Sequence, residues 1–189
     1  MDALLLDPGG YLGTYKLVGG RPSLDFVNTV SWPGTPREHD WLSSKENLRQ
    51  WLQTLALAAP RGAPDLAAAR GMRAMLDAVL RPLAHGKPPS RAATAALSAA
   101  AARASAARVI DPATLDWRWT APADIEAALA PVVLDAVELV VAGERDRLRH
   151  CPACDWLFED RTRNGQRRWC DMADCGSRDK ARRYYHRTK

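Results

Sequence analysis

The sequence predicts a mainly α-helical protein, with a helical N-terminal domain (residues 1–145) that holds a small β-hairpin, followed by a small C-terminal zinc finger (146–189) with a basic helix. Three observations carry this expectation: apolar residues recur at helical spacing between capping signals, all four cysteines fall at or after position 151, and the basic excess lies in the same tail. At 189 residues, 47% hydrophobic and 26% charged, the chain is large and apolar enough to bury a core and too short for a large multidomain enzyme. Its longest apolar stretch, Pro131 to Gly143, is broken by Asp135 and Glu138, which excludes a bilayer-spanning helix. The opening Met1-Asp2-Ala3 and three leucines lack the basic region of an export signal, so a cytoplasmic location is expected.

Taken in order, Gly9, Gly10, Gly19 and Gly20 bracket Tyr11 to Val18, a loop or short strand. Arg21 to Val30, apolar at 24, 26, 27 and 30, fits a short helix or strand, with helix preferred. Ser43 and Glu46 form a capping box ahead of Leu48, Trp51, Leu52 and Leu55, giving a helix that ends by Pro60. A second helix starts at Pro64 and ends before Gly86, and Ser90 caps an Ala-rich third through about Ala106. Val109 and Ile110, the Asp111-Pro112 turn, and alternating Leu115, Trp117 and Trp119 predict a hairpin. From Asp124 a broad apolar stripe predicts a helix, bent by Pro131 and stopped at Gly143. A polar connector then leads to Cys151.

Net charge is +5, but residues 161–189 carry ten basic and three acidic side chains, a local +7 that leaves −2 for the rest. A basic tail on a mildly acidic body suits a polyanionic partner, although basic termini also serve solubility alone.

The cysteines form Cys151-x2-Cys154, fifteen residues, then Cys170-x4-Cys175. Two chelating loops joined by a spacer are the pattern of a tetrahedral zinc site, and four thiolates leave no open position for catalysis. One structural Zn2+ per chain is therefore expected, and the segment, with Trp156, Leu157, Phe158, Trp169 and Met172 as its main apolar residues, needs that ion to fold. Two alternatives are less favoured: a Cys-Pro-Ala-Cys redox dithiol, which lacks the βαβ context, and a site in which His150 or His186 replaces one sulfur.

The run Cys151-Pro-Ala-Cys154-Asp-Trp-Leu-Phe-Glu-Asp160, with Arg161-Thr-Arg-Asn-Gly-Gln-Arg-Arg-Trp-Cys170 and Cys175-Gly-Ser-Arg178, resembles the CGNR-type zinc finger, with Ser177 at the asparagine position. Leu24-Asp-Phe-Val-Asn-Thr29 and the Trp-Leu helix after it resemble the start of the ABATE domain, the usual partner of that finger. Together the two cover nearly the whole chain. The resemblance implies a bacterial transcription regulator with a helical domain of unproven role and a finger that binds nucleic acid.

On this basis Arg161, Arg163, Arg167, Arg168, Arg178, Lys180, Arg182 and Arg183 are the candidate nucleic-acid contacts, with zinc fixing the 161–169 loop against a helix starting near Ser177. About a third of these arginines are expected to serve instead in charge balance and internal ion pairs. DNA is the expected partner, and the alternative is a zinc-stabilised module binding an acidic protein or RNA. Asp25, Asn28 and Thr29, polar within an apolar motif, are candidate ligand contacts, with caps and turn bonds the more favoured role. Trp32, Trp41, Trp51, Trp117 and Trp119 are expected in the core ahead of lining a pocket. A small-molecule effector and a homodimer remain open. No nucleophile elbow, phosphate loop or metalloprotease helix is present, so an enzyme is disfavoured.

Overall fold

A computed structural model describes residues 3–187 except 5, 10, 12 and 143; the side chains of 3, 144, 186 and 187 are not described. The expected stop at Gly143 and the alternative ligand side chain His186 therefore lie outside the described residues. The architecture is mainly helical, with four two-stranded antiparallel ribbons among the described residues.

Strands β1 (Ala3–Leu4) and β2 (Tyr15–Lys16) pair first. The ambiguous 21–30 stretch divides: α1 (Pro22–Val27) is helix, with proline in its first turn, and β3 (Val30–Ser31) is strand, paired with β4 (His39–Asp40). Helix α2 (Lys45–Thr54) is capped by Ser44, whose hydroxyl accepts from the Asn47 N–H, and not by Ser43 as the capping box suggested. Ser43 instead accepts from the Asn47 side chain, which also donates to the carbonyls of Asp7 and Trp41, so tertiary bonds moved the cap one residue on. The helix also ends short of Pro60, its cap at Leu55.

Helix α3 (Leu66–Ala84) is capped by Asp65, with Pro64 just outside it, and stops before Gly86, whose φ of +71° suits the left-handed turn after a helix. Ser90 caps α4 (Arg91–Ala106), and the hairpin of β5 (Arg108–Ile110) and β6 (Trp117–Trp119) follows as expected. Pro131 does more than bend the last stripe: it separates α5 (Ile125–Ala128) from α6 (Ala130–Val141), standing in the first turn of α6. A 3-10 turn (Glu144–Arg147) leads into β7 (Leu148–His150), which pairs with β8 (Leu157–Glu159); a π turn (Met172–Gly176) then opens α7 (Ser177–Arg187).

One core joins Leu24, Phe26, Trp51, Leu76 and Val133 to Leu157, Phe158, Trp169 and the cysteines. Trp41 and Trp51 are fully buried, whereas Trp32 is half-buried and Trp117 and Trp119 are exposed, Trp117 lying under the Arg108 guanidinium. Met172, expected in the finger core, is exposed. No helix among the described residues is long and apolar enough to cross a membrane.

Candidate metal centre and basic surface

The first cysteine pair sits on a tight turn, where the Asp155 N–H donates to the Cys151 carbonyl and the Cys151 N–H to the Trp156 carbonyl, both at 2.8 Å. Asp155 takes a positive φ of 59° to close it. In the second pair Cys170 precedes the π turn and Cys175 lies within it, where Asp171 caps the N–H of Ala173. Gly176 is bare for a reason of space: a Cβ would stand 2.9 Å from the Met172 sulfur and 3.2 Å from Trp169.

These turns bring all four thiols together, buried and unlinked. Sulfur separations are 3.5 Å (Cys154–Cys170), 3.6 Å (Cys170–Cys175) and 3.7 Å (Cys175–Cys154). They are far too long for disulfides, and close to the edge of about 3.8 Å that a tetrahedron with about 2.3 Å metal–sulfur bonds requires. Hydrogen bonds from the three neighbouring thiols hold Cys151 below the ordinary thiol range, while hydrogen bonding to Cys151 pushes Cys154 and Cys170 above it. Four thiolates cannot share this pocket without a cation, so the donor set fits a four-coordinate dication.

The N-terminal region grips the centre on several sides. Trp32 donates from its indole to the Ala153 carbonyl and from its backbone to the Cys154 carbonyl, while the Trp156 indole donates to Val30. Lys16 Nζ reaches Asp171 at 2.9 Å and Asp174 at 2.6 Å, tying β2 to the second pair. Beside the sulfurs lies a cavity of about 50 Å³ lined by Tyr11, Trp32, Trp41 and Arg178, room for a few waters and not for an organic effector.

The candidate ligand contacts turn out to be internal bonds. Asn28 accepts from the Leu157 N–H at 2.7 Å and donates to the Leu157 carbonyl at 2.8 Å, so its carboxamide stands in for a neighbouring strand along the outer edge of β8. The Glu159 N–H continues that edge, donating to the Gly19 carbonyl. Thr29 donates to Phe26 and accepts from Arg73, which also forks onto Asp40. Asp25 accepts from the Gly19 N–H at 2.7 Å, and burial pushes its carboxyl up to about 7 against the opposing pull of the Gly19 and Val18 amides. All three residues are buried. The functional positions that sequence reasoning missed are thus the docking partners on β8, for which backbone amides leave no sequence signal.

The eight basic candidates separate by what they touch. Arg178 lies 3.2 Å from the Cys175 sulfur and balances thiolate charge. Arg167 stacks on Phe158 and donates to the carbonyls of Val18, Trp169 and Cys170. Arg161 pairs with Glu159 and donates to Gly20. These three bond within the fold, although Arg161 and Arg178 also remain exposed. The 161–169 loop is braced by Arg161, Arg167 and Asp160, which accepts from the backbone of Thr162 and Arg167, and its arginines tie it to the N-terminal region at Gly20 and Val18. Arg163, Arg168 and Lys180 are exposed, and Arg182 and Arg183, though both paired with the buried Asp179, keep about two thirds of their side chains in solvent. Ser177 opens α7, its hydroxyl donating to the Met172 carbonyl.

Two known family models match the chain. The model of the ABATE family, described as "Putative stress-induced transcription regulator", matches residues 20–143, and that of the CGNR zinc finger matches residues 147–188. A search of curated proteins gives no match.

Proposed function

Because the chain belongs to the ABATE family and ends in a CGNR zinc finger, we propose that it is a transcription regulator that binds DNA through a zinc-organised basic surface. The observation that carries this reading is that Arg163, Arg168, Lys180, Arg182 and Arg183 remain exposed on a loop and helix that are anchored at the four-cysteine cluster. The metal is zinc in a structural role: four thiolates fill its coordination shell, so it organises and does not catalyse, and the protein acts by binding. Guanidinium groups on α7 and the loop contact phosphates, and Tyr184 and Tyr185, exposed on the same helix, add aromatic surface.

An effector-sensing role of the helical domain belongs to the same reading, at a place other than Asp25, Asn28 and Thr29, whose polar atoms serve the fold. The protein works in the cytoplasm, where its DNA is.

The test is selection from a random DNA pool followed by affinity against salt. Five neutralised phosphates give a slope of log affinity on log salt near −4.5, from about 0.9 per phosphate. Changing Arg163, Lys180 and Arg182 to Gln flattens the slope by about 2.7 on the same basis. A salt-independent affinity, or a pool that enriches nothing while an acidic protein or RNA binds tightly, overturns the proposal.

A further inference from the structure

Beside the first cysteine turn, His85, His150 and Asp155 bring two imidazoles and a carboxylate together where α3 meets the finger. His85 is the C-cap of α3, His150 ends β7, and Asp155 is the positive-φ residue of the first cysteine turn. One carboxylate oxygen, Oδ1 of Asp155, lies 3.2 Å from Nε2 of His85 and 3.2 Å from Nδ1 of His150. Ions held at about 2.1 Å by nitrogen and oxygen donors need neighbouring donors about 3.0 Å apart in an octahedron and about 3.4 Å apart in a tetrahedron. The observed separations fall between the two.

Two further facts point to a ligand. Nδ1 of His150 is buried and makes no directional hydrogen bond, although it stands beside the carboxylate, so its bonding capacity is unspent. The other carboxylate oxygen is fixed by Arg81 at 2.6 Å, and Arg81 also donates to the Asp155 carbonyl and pairs with Asp77. Arg81 therefore orients the carboxylate as an outer partner would orient a ligand, leaving Oδ1 facing both imidazoles. The rings of His85 and His150 are stacked, with centroids 3.7 Å apart, and the three donor atoms all lie within 4.8 Å of one another.

We propose that His85, His150 and Asp155 form a second metal site, which takes a divalent first-row transition ion and completes its shell with water. The mixed nitrogen and oxygen donors favour such an ion over magnesium or calcium, and separate the site chemically from the all-sulfur centre. Because the ligands come from α3, β7 and the cysteine turn, the ion fastens the helical domain to the finger. The site stands whether or not the basic surface binds DNA.

The experiment uses the full chain without an affinity tag, loaded with one zinc. Titration with Ni2+ in a calorimeter is expected to show one further equivalent, and His85→Ala to weaken it at least about tenfold while the zinc content stays at one. Cu2+ added to the same protein is expected to give an electron paramagnetic resonance spectrum with coupling to two imidazole nitrogens, falling to one in His85→Ala. Absence of a further equivalent in millimolar Ni2+ overturns the proposal. So does an equivalent that His85→Ala leaves unchanged. Loss of zinc from the variant would be met by His85→Gln, which keeps a polar side chain at the exposed helix end, read against the same two outcomes.

Discussion

Replacing Asn28 by alanine tests whether the finger is docked by one carboxamide. The side chain is fully buried and serves both the N–H and the carbonyl of Leu157, which lie on the edge of β8 turned away from β7. Truncation leaves both groups buried without a partner, and each costs about 1–3 kcal/mol, for a total of about 2–6 kcal/mol. Set against a typical domain stability of about 5–15 kcal/mol, that is a large fraction. At roughly 2–4 °C per kcal/mol for a chain of this size, a loss of about 4 kcal/mol lowers Tm by about 8–16 °C. Urea unfolding followed by tryptophan fluorescence measures it, at fixed free zinc because bound metal adds to apparent stability. Asn28→Asp retains the acceptor for the Leu157 N–H but sets a carboxylate against the Leu157 carbonyl, so it is expected to be no more stable than the alanine variant. Stability within about 0.5 kcal/mol of the parent would refute the docking role and return Asn28 to the pool of candidate ligand contacts.

Three further outcomes follow from the same geometry. The Asp25 carboxyl, raised to about 7 in the folded chain, binds a proton that the unfolded chain releases near 4; stability thus falls as pH rises through this window, by up to about 4 kcal/mol, and levels off above it. Asp25→Asn should remove that component, seen as a smaller loss of stability than the parent's between about pH 5 and pH 8 in parallel urea titrations; equal losses would contradict it. Gly19→Ala sets a Cβ 2.8 Å from that of Leu24 and 2.9 Å from the Asp25 nitrogen, neither of which can give way easily, so a loss of about 1–3 kcal/mol is expected by thermal unfolding, and an unchanged Tm would show the turn to be softer than its contacts imply. Arg178→Ala keeps all four ligands but removes the guanidinium beside Cys175, and should weaken zinc binding by about 10–100-fold in competition with a chromophoric chelator. Undiminished zinc affinity together with weaker DNA binding would restore Arg178 to the basic surface.

Local chemistry made much of this legible before any coordinates. The Ser90 cap, the Asp111-Pro112 hairpin and the cysteine spacing are written within a few residues, and each formed where expected. Signals that depend on distant partners were not readable. Asn47 moved the α2 cap from Ser43 to Ser44 by bonding to Asp7 and Trp41, and the 21–30 stretch was ambiguous because a six-residue buried helix and a two-residue strand are both too short to show a period. That some of the arginines would serve the fold could be foreseen from charge balance. Their identities could not, since Val18 lies about 150 positions from Arg167. His85 and Asp155 are likewise 70 positions apart, and nothing in either neighbourhood announces the other.

The edge of β8 that is sealed by Gly19 and Asn28 also bears on how the molecule would read a duplex. A finger hung on a slack tether samples many orientations, and a pair of them tolerates varied gaps between half-sites. Here the finger has no leash: its bearing is inherited from the trunk, and on the proposed reading the gap between half-sites in an assembly of two copies would be dictated by how trunk meets trunk. Grafting the finger onto a foreign trunk would require carrying the docking strip with it.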